Sequence, residues 1–297
     1  MTATTDAPTV VTGARGRLGR ALMASLGAAG RPVLAWDRPA YDLDSADAAT
    51  PLLARDRPGL VIHCAAWTDV DGCARDPETA MRRNARAVRE LAEATAASGA
   101  RFVVVSTNEV FDGTRTDGHG YREDDPVEPP NAYGASKLAG ERAAVVAYGR
   151  AGRSTDLWVI RTAWLFGPGA PDFPAKILAA ADRLPAGESL PVVGDEVGSP
   201  TYAPDLAAAL LELVERAPGG LYHLVNAGQA SRLEWARAVL AGARRETPVR
   251  PIGQDDFKRD SLPPRWAVLA TDQAARYGVR LRAWPEALAD RLAPGAD

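Results

Sequence analysis

Tyr133 and Lys137 stand four residues apart in Tyr133-Gly134-Ala135-Ser136-Lys137. On a helix that spacing puts a phenol and an ammonium on one face. A free tyrosine has a pKa of about 10, and a neighbouring cation stabilises the phenolate and lowers that value. Tyr133 would then exchange a proton near neutral pH, as a general acid or base must. The same pair also suits any solvated helix face, so the spacing alone names no site. A second polar cluster follows the apolar run Val103-Val104-Val105: Ser106-Thr107-Asn108-Glu109. The carboxyl end of a buried strand is where open α/β sheets present their chemistry.

A third motif says what these groups would act with. Thr12-Gly13-Ala14-Arg15-Gly16-Arg17-Leu18-Gly19 follows the apolar run Thr9-Val10-Val11 and opens an amphipathic segment at about 18–29. Glycines here permit a tight turn, close approach to a pyrophosphate and close helix–sheet packing. The free N–H groups of the helix start then face the phosphates. Asp37 ends the next strand, where an acid binds the adenosine ribose and favours NADH. Arg15 and Arg38 stand beside it and would meet a 2′-phosphate, so the cofactor is expected to be NADPH or NADH, leaning to NADPH. Asp42, in Tyr41-Asp42-Leu43-Asp44, either caps a turn or contacts the adenine.

The elements that must position these groups alternate. Strand-like runs at 32–36, 60–64, 102–105 and 157–160 are separated by helix-like segments at 80–97 and 133–148. This rhythm, with continuous apolar strands, predicts an α/β fold: a Rossmann-like, doubly wound parallel sheet covered on both faces. Beyond Trp164 it breaks into Pro- and Gly-rich joints at 167–174 and 184–198, a short helix between them, a helix–strand pair at 205–216 and 221–225, and a mixed tail. The expected division is 1–165 plus about 196–230 for the dinucleotide-binding domain. About 166–195 plus 231–297 forms a smaller, discontinuous C-terminal substrate lobe.

Composition narrows the partners. The 35 Lys+Arg and 38 Asp+Glu of the 297 residues are interspersed, with a net charge of -3 and no basic stripe to track nucleic acid. No leader pattern and no apolar stretch of membrane-spanning length is evident. Cys64 and Cys73 read as reduced thiols, and three scattered histidines offer no metal-ligand spacing. The expectation is a cytoplasmic protein, monomer or homodimer, with no metal.

Taken together, Thr12–Gly19, Asp37, His63-Cys64-Ala65-Ala66, Ser106-Thr107, Tyr133-x-x-x-Lys137 and Arg161-Thr162 resemble the extended short-chain dehydrogenase/reductases. Further motifs resemble the members that reduce nucleotide-linked 4-keto-6-deoxysugars: Val61–Asp71, Phe111-Asp112-Gly113, Tyr121-x-Glu123-x-Asp125, Arg161–Phe166, Val193–Thr201 and Gly220–Val225. The resemblance implies hydride delivery to a 4-keto carbon. Tyr133 would protonate the forming alkoxide, Lys137 would bind the nicotinamide ribose, and Thr107 would hydrogen-bond the carbonyl oxygen. Gly13, Arg15, Gly16, Arg17, Leu18, Gly19, Asp37, Arg38, Asp42, Leu43, Cys64, Ala65 and Ala66 would border the cofactor. Thr68, Asn108, Glu109, Trp164 and Arg265 would border a nucleotide-sugar substrate. The chain departs from those reductases at Asn108-Glu109, Asp172-Phe173 and Pro263-Pro264-Arg265-Trp266. Two alternatives stay open: a sugar-nucleotide 4,6-dehydratase or epimerase, whose general acid Asn108 would lack, and a non-catalytic NADP-binding regulatory subunit.

Overall fold

A computed structural model describes residues 7–295. The sheet-forming half runs β1 (Thr9–Thr12), α1 (Arg17–Ala28), β2 (Val33–Trp36), α2 (Ala49–Asp56), β3 (Leu60–His63), α3 (Val70–Arg75), α4 (Pro77–Met81), a π turn over Arg82–Arg86, α5 (Ala87–Ser98), β4 (Arg101–Thr107), α6 (Ala132–Arg150) and β5 (Leu157–Thr162). The remainder adds β6 (Leu165–Phe166), α7 (Phe173–Asp182), β7 (Leu190–Val193), β8 (Val197–Gly198), β9 (Thr201–Tyr202), α8 (Ala203–Arg216), β10 (Gly220–His223), β11 (Ala230–Ser231), α9 (Arg232–Gly242), β12 (Val249–Ile252), α10 (Asp272–Ala275) and α11 (Trp284–Leu292).

Six strands form one sheet in the order β10-β5-β4-β3-β1-β2, and every pairing is parallel. Alternate residues of each strand enter opposite cores. Val11, Ile62, Val103, Val105 and Ile160 pack with α1 and α8. Val10, Val61, Phe102, Val104 and Val159 pack with α2, α5 and α6. Both faces being covered is why the strands read as unbroken apolar runs. From β1 the chain crosses one way to β2 and then back past β1 to β3. The crevice beyond the ends of β1 and β3 is therefore the switch point of the sheet, where such folds bind ligands.

A separate core gathers Phe166, Ile177, Leu190, Val192, Trp235, Val239 and Leu288 from β6, β7, α7, α9 and α11. It draws on 166–195 and 231–297 but also on Tyr202 and Ala230, from the stretch expected to belong to the dinucleotide-binding domain, and the tail differs too. Ala274 and Val279 lie within 231–297 yet pack beneath the main sheet with α8, because the tail returns from the second core to cover that face. The short elements α2 and α3, and the parallel pair β7–β12, have no counterpart among the expected elements. They are too short for a periodic apolar signature. The first six residues, which carry part of the expectation of no leader, lie outside the described residues. Among the described residues no helix is long and apolar enough to cross a membrane, and no cluster of side chains suits a metal ion.

Candidate active site

The turn after β1 is built by glycine. Gly13 sits at φ +64°, and a Cβ there would lie 2.8 Å from the Ala65 Cα. At Gly19 a Cβ would lie 2.2 Å from the Gly13 carbonyl oxygen. The first glycine lets β1 and β3 close up at the switch point, and the second lets α1 press onto the turn. Thr12 reinforces this: its Oγ1 accepts from the Ala65 amide at 3.2 Å and lies 2.8 Å from His63 Nδ1. Burial pulls His63 down to about 3, so the imidazole is neutral.

The run Val103–Val105 continues as strand through Thr107 and then turns sharply. Thr107 Oγ1 accepts from the Glu109 amide at 3.2 Å, closing a 3-10 turn over Asn108–Val110. Asn108 is buried; its Nδ2 donates to the Ala267 carbonyl at 3.0 Å, and its Oδ1 lies 3.3 Å from Thr107 Oγ1. It orients Thr107 and ties the strand end to the C-terminal segment. α6 then docks on this turn at Gly134, where a Cβ would lie 2.0 Å from the Glu109 carbonyl oxygen. Asn131 caps α6 through the Gly134 amide at 2.8 Å, and its Nδ2 donates to Glu109 Oε2 at 2.7 Å. Further along, a Cβ at Gly140 would meet the Asn84 carbonyl oxygen at 2.3 Å, so α6 also lies close against the π turn.

These contacts bring the three sequence motifs to one cavity of about 480 Å³, bordered by Gly13, Gly16, Arg17, Leu18, Gly19, Cys64, Ala65, Ala66, Thr68, Thr107, Asn108, Glu109, Tyr133, Lys137 and Trp164. A second cavity of about 260 Å³ shares Gly13, Ala65 and Ala66 with it and is bordered by Asp37, Arg38, Asp42 and Leu43. Together they trace a trough along the carboxyl ends of β2, β1, β3 and β4. The residues fit a dinucleotide on three counts. The glycine cradle has no room for a Cβ. The start of α1 at Gly16 has no side-chain cap over its N–H groups. The buried hydroxyls of Ser106 and Thr162 border the larger cavity without a hydrogen-bond partner.

Several side chains behave otherwise than their spacing suggests. Lys137 Nζ donates to the Val105 carbonyl at 2.7 Å, and burial lowers its pKa to about 8. Tyr133 is accordingly not acidified. Burial and the nearby Glu109 charge push its phenol upward, against a hydrogen bond from Thr107 that pulls it down. The correction has a simple cause: the ammonium faces the strand end and is itself desolvated. The resulting neutral phenol is the form a proton donor needs. Arg17 lines the cavity, but its guanidinium donates to the carbonyls of Leu165, Gly167 and Ala170. Arg15 is exposed, 3.9 Å from Asp37, and borders neither cavity. Asp42 accepts from the Asp44 amide at 3.0 Å while lining the second cavity, so it serves as both turn cap and wall. Arg265 lies outside both linings, held by Asp195 and by Asp255 at 2.8 Å, because its loop turns the guanidinium onto those carboxylates. Burial pushes the Cys64 thiol up to about 12, making it a poor nucleophile despite its place in the wall.

Trp164 borders the cavity in a left-handed backbone conformation, φ 41°. Its indole crosses Gly198, where a Cβ would lie 2.6 Å from the ring, and stacks on Trp235 at 5.7 Å between centroids. It is therefore both a wall and part of the second core. Spacing gave no sign of three other residues. Asn84, exposed inward by the π turn, bonds both the Trp67 backbone and Ser136 Oγ. Arg83 covers the Trp67 ring at 5.3 Å and borders the second cavity. Arg232, from α9, borders the first. A π turn is often found at functional sites, but an α-helical reading of 80–97 conceals it.

The position of Lys137 carries a pH signature. Its folded-state value of about 8 lies below the ordinary 10.5, so between these the unfolded chain binds more protons and stability rises with pH. Below about pH 8 the buried ammonium costs on the order of 1–3 kcal/mol. Denaturant melts of wild type and Lys137→Met without cofactor should show the variant's relative stability falling between pH 7 and 10. A difference flat in pH would show that the lysine is not buried as described.

The comparisons agree with this geometry. The family described as "RmlD substrate binding domain" matches residues 8–296. A dTDP-4-dehydrorhamnose reductase of Mycolicibacterium smegmatis is 40% identical over 290 residues, spanning 96% of this chain and 84% of that one. A dTDP-4-keto-6-deoxy-D-glucose reductase of Streptomyces niveus is 35% identical, over 94% of each chain. The solved structure of a dTDP-4-dehydrorhamnose reductase from Bacillus anthracis in complex with NADP superposes with a TM-score of 0.88 at 29% identity, covering 96% of this chain and 98% of that one. With its doubly wound sheet, its glycine turn and its Tyr133-x-x-x-Lys137 helix, the chain belongs to the RmlD substrate-binding-domain family within the extended short-chain dehydrogenase/reductases.

Proposed function

We propose that this chain is an NAD(P)H-dependent oxidoreductase that reduces the 4-keto group of a nucleotide-linked 4-keto-6-deoxysugar, with NADPH the favoured cofactor. The observation that carries the reading is the meeting of Thr107, Tyr133 and Lys137 with the glycine turn in one trough. The adenosine half of the cofactor would lie along Asp37, Arg38, Asp42 and Leu43. The pyrophosphate would lie on Gly13–Gly19, and the nicotinamide ribose beside Lys137. When bound there, the nicotinamide supplies the hydride.

The chain's own groups handle the oxygen. Tyr133, kept protonated by burial, holds the proton that the forming alkoxide needs. Thr107 accepts from the Glu109 amide and donates to Asn108 Oδ1 over a long 3.3 Å, so its hydroxyl is held at the site and would turn its one proton from Asn108 to the substrate oxygen. Trp164, Thr68 and Glu109 would flank the sugar. Asn108 has no ionisable proton, and its amide nitrogen is engaged by Ala267, which counts against the elimination of a dehydratase. The residues 166–195 and 231–297 are taken as the substrate lobe, apart from the stretch around Ala274–Val279, and the location as cytoplasmic.

The test is a panel of nucleotide-linked 4-keto-6-deoxysugars with NADPH and NADH. One cofactor is expected to be oxidised per ketosugar reduced. Conversion of the parent hexose nucleotide without net cofactor use would mark a dehydratase. Cofactor binding without turnover on any ketosugar would mark a regulatory subunit.

A further inference from the structure

Among the residues bordering the larger cavity, Arg232 alone comes from beyond Leu165. With Trp164, it joins the wall to the second core. Its backbone is fixed in several ways. Ser231 and Glu234 form a reciprocal capping box at the start of α9. β11 pairs with β8, and the Arg232 amide donates to the Glu196 carbonyl at 3.1 Å. The guanidinium sits over Trp164, with Cζ 3.5 Å from the ring centroid. Its Nε reaches Glu196 Oε2 at 3.4 Å, while Arg259 takes the other oxygen at 3.0 Å. Glu196 is thus shared by two arginines, and the Glu109 carboxyl of the same wall lies close enough to act on both.

The two Nη groups of Arg232 meet no acceptor among the described residues. They are also absent from the buried unpartnered atoms, so they open onto free space. A guanidinium fork held rigid at its Nε side, with both terminal nitrogens free on a cavity wall, matches a bidentate oxyanion. The other cations of the wall are already engaged. Arg17 holds three carbonyls and Lys137 holds the Val105 carbonyl. The cofactor pyrophosphate would have the backbone N–H groups of the glycine turn. A second diphosphate in the trough needs charged or N–H partners of its own. We propose that Arg232 receives the diphosphate of the nucleotide-linked sugar through its two Nη groups, a role that Arg265, outside the wall, does not have. The inference rests on the reductase reading for its ligand. Burial lowers the guanidinium to about 10, which leaves it charged at neutral pH.

The experiment titrates thymidine diphosphate and thymidine into NADPH-saturated wild type, Arg232→Gln and Arg232→Lys, with thermal melts as a check of folding. Loss of a bidentate charged contact is expected to weaken thymidine diphosphate about 10–100-fold in Arg232→Gln. Arg232→Lys should recover part of the loss, thymidine should be unaffected, and NADPH affinity should stay within about twofold. KM for the ketosugar nucleotide should rise with the same ratio while kcat changes little. A parallel loss of thymidine, an unchanged diphosphate affinity, or no diphosphate binding by wild type overturns the assignment. The two readings fail separately. Wild type that binds diphosphate through Arg232 yet reduces no ketosugar sinks the reductase reading alone. Turnover with an unchanged KM in Arg232→Gln sinks this one alone.

Discussion

Tyr133→Phe is expected to lower kcat for ketosugar reduction by about 10²–10⁴-fold, the usual worth of a positioned general acid. The phenyl ring keeps the packing on Cys73 and Ala80, so folding and NADPH affinity should change little. The phenol and the Cys64 thiol are both ionisable groups of this wall that stay neutral at working pH, and of the two the phenol is the one beside Thr107. Burial and Glu109 hold it protonated, whereas the Thr107 hydroxyl donates to Asn108 Oδ1 and Asn108 has no ionisable proton to release. Single-turnover measurement of cofactor oxidation separates the chemical step from product release. Turnover within about threefold of wild type would move the proton donor elsewhere, and Glu109 is the next ionisable group in the wall.

The second large effect concerns stability. Glu141 lies one turn beyond Lys137 on α6 and pairs with Arg161 of β5 through two bonds, 3.0 and 2.8 Å, both side chains being buried. Glu141→Leu leaves the guanidinium buried and uncompensated, a loss of about 3–5 kcal/mol. The corresponding drop in Tm is roughly 5–15 °C. Removing both charges in Glu141→Leu/Arg161→Leu should recover much of the loss, because desolvation of an unpaired ion is the dominant cost. A single variant that melts within about 2 °C of wild type would show that the pair is hydrated. Activity is tied to the same contact, since α6 carries Tyr133 and Lys137 and the Arg161 pair anchors it to the sheet.

The legible parts of this protein share a property: their meaning is local. A glycine that must take φ +64° against Ala65 has no substitute, so the turn of Gly13–Gly19 announces itself. Strands covered on both faces must be apolar at every position, so β1, β3, β4 and β5 were evident from composition along a few residues. Tyr133 and Lys137 were found because helical spacing is fixed by geometry. The same reasoning misjudged what Lys137 does to Tyr133, because spacing places a side chain on a face and says nothing of what it meets there. The Val105 carbonyl lies across a tertiary contact.

Arginines were the hardest to read. Arg17 and Arg265 looked like ligand contacts by position, yet one holds the loop through Leu165–Ala170 and the other faces Asp195 and Asp255. Arg232 carried no signal at all, being one charged residue at the start of a helix far along the chain. A guanidinium at the end of a flexible stem takes its role from whichever acceptor the fold brings within reach. By itself the sequence determined the sheet, the dinucleotide turn and the proton-carrying helix, since steric and periodic constraints act within a few residues. Only the tertiary structure decided which cations face the cavity and which are already bound. Those partners come from segments that meet only when both cores have formed.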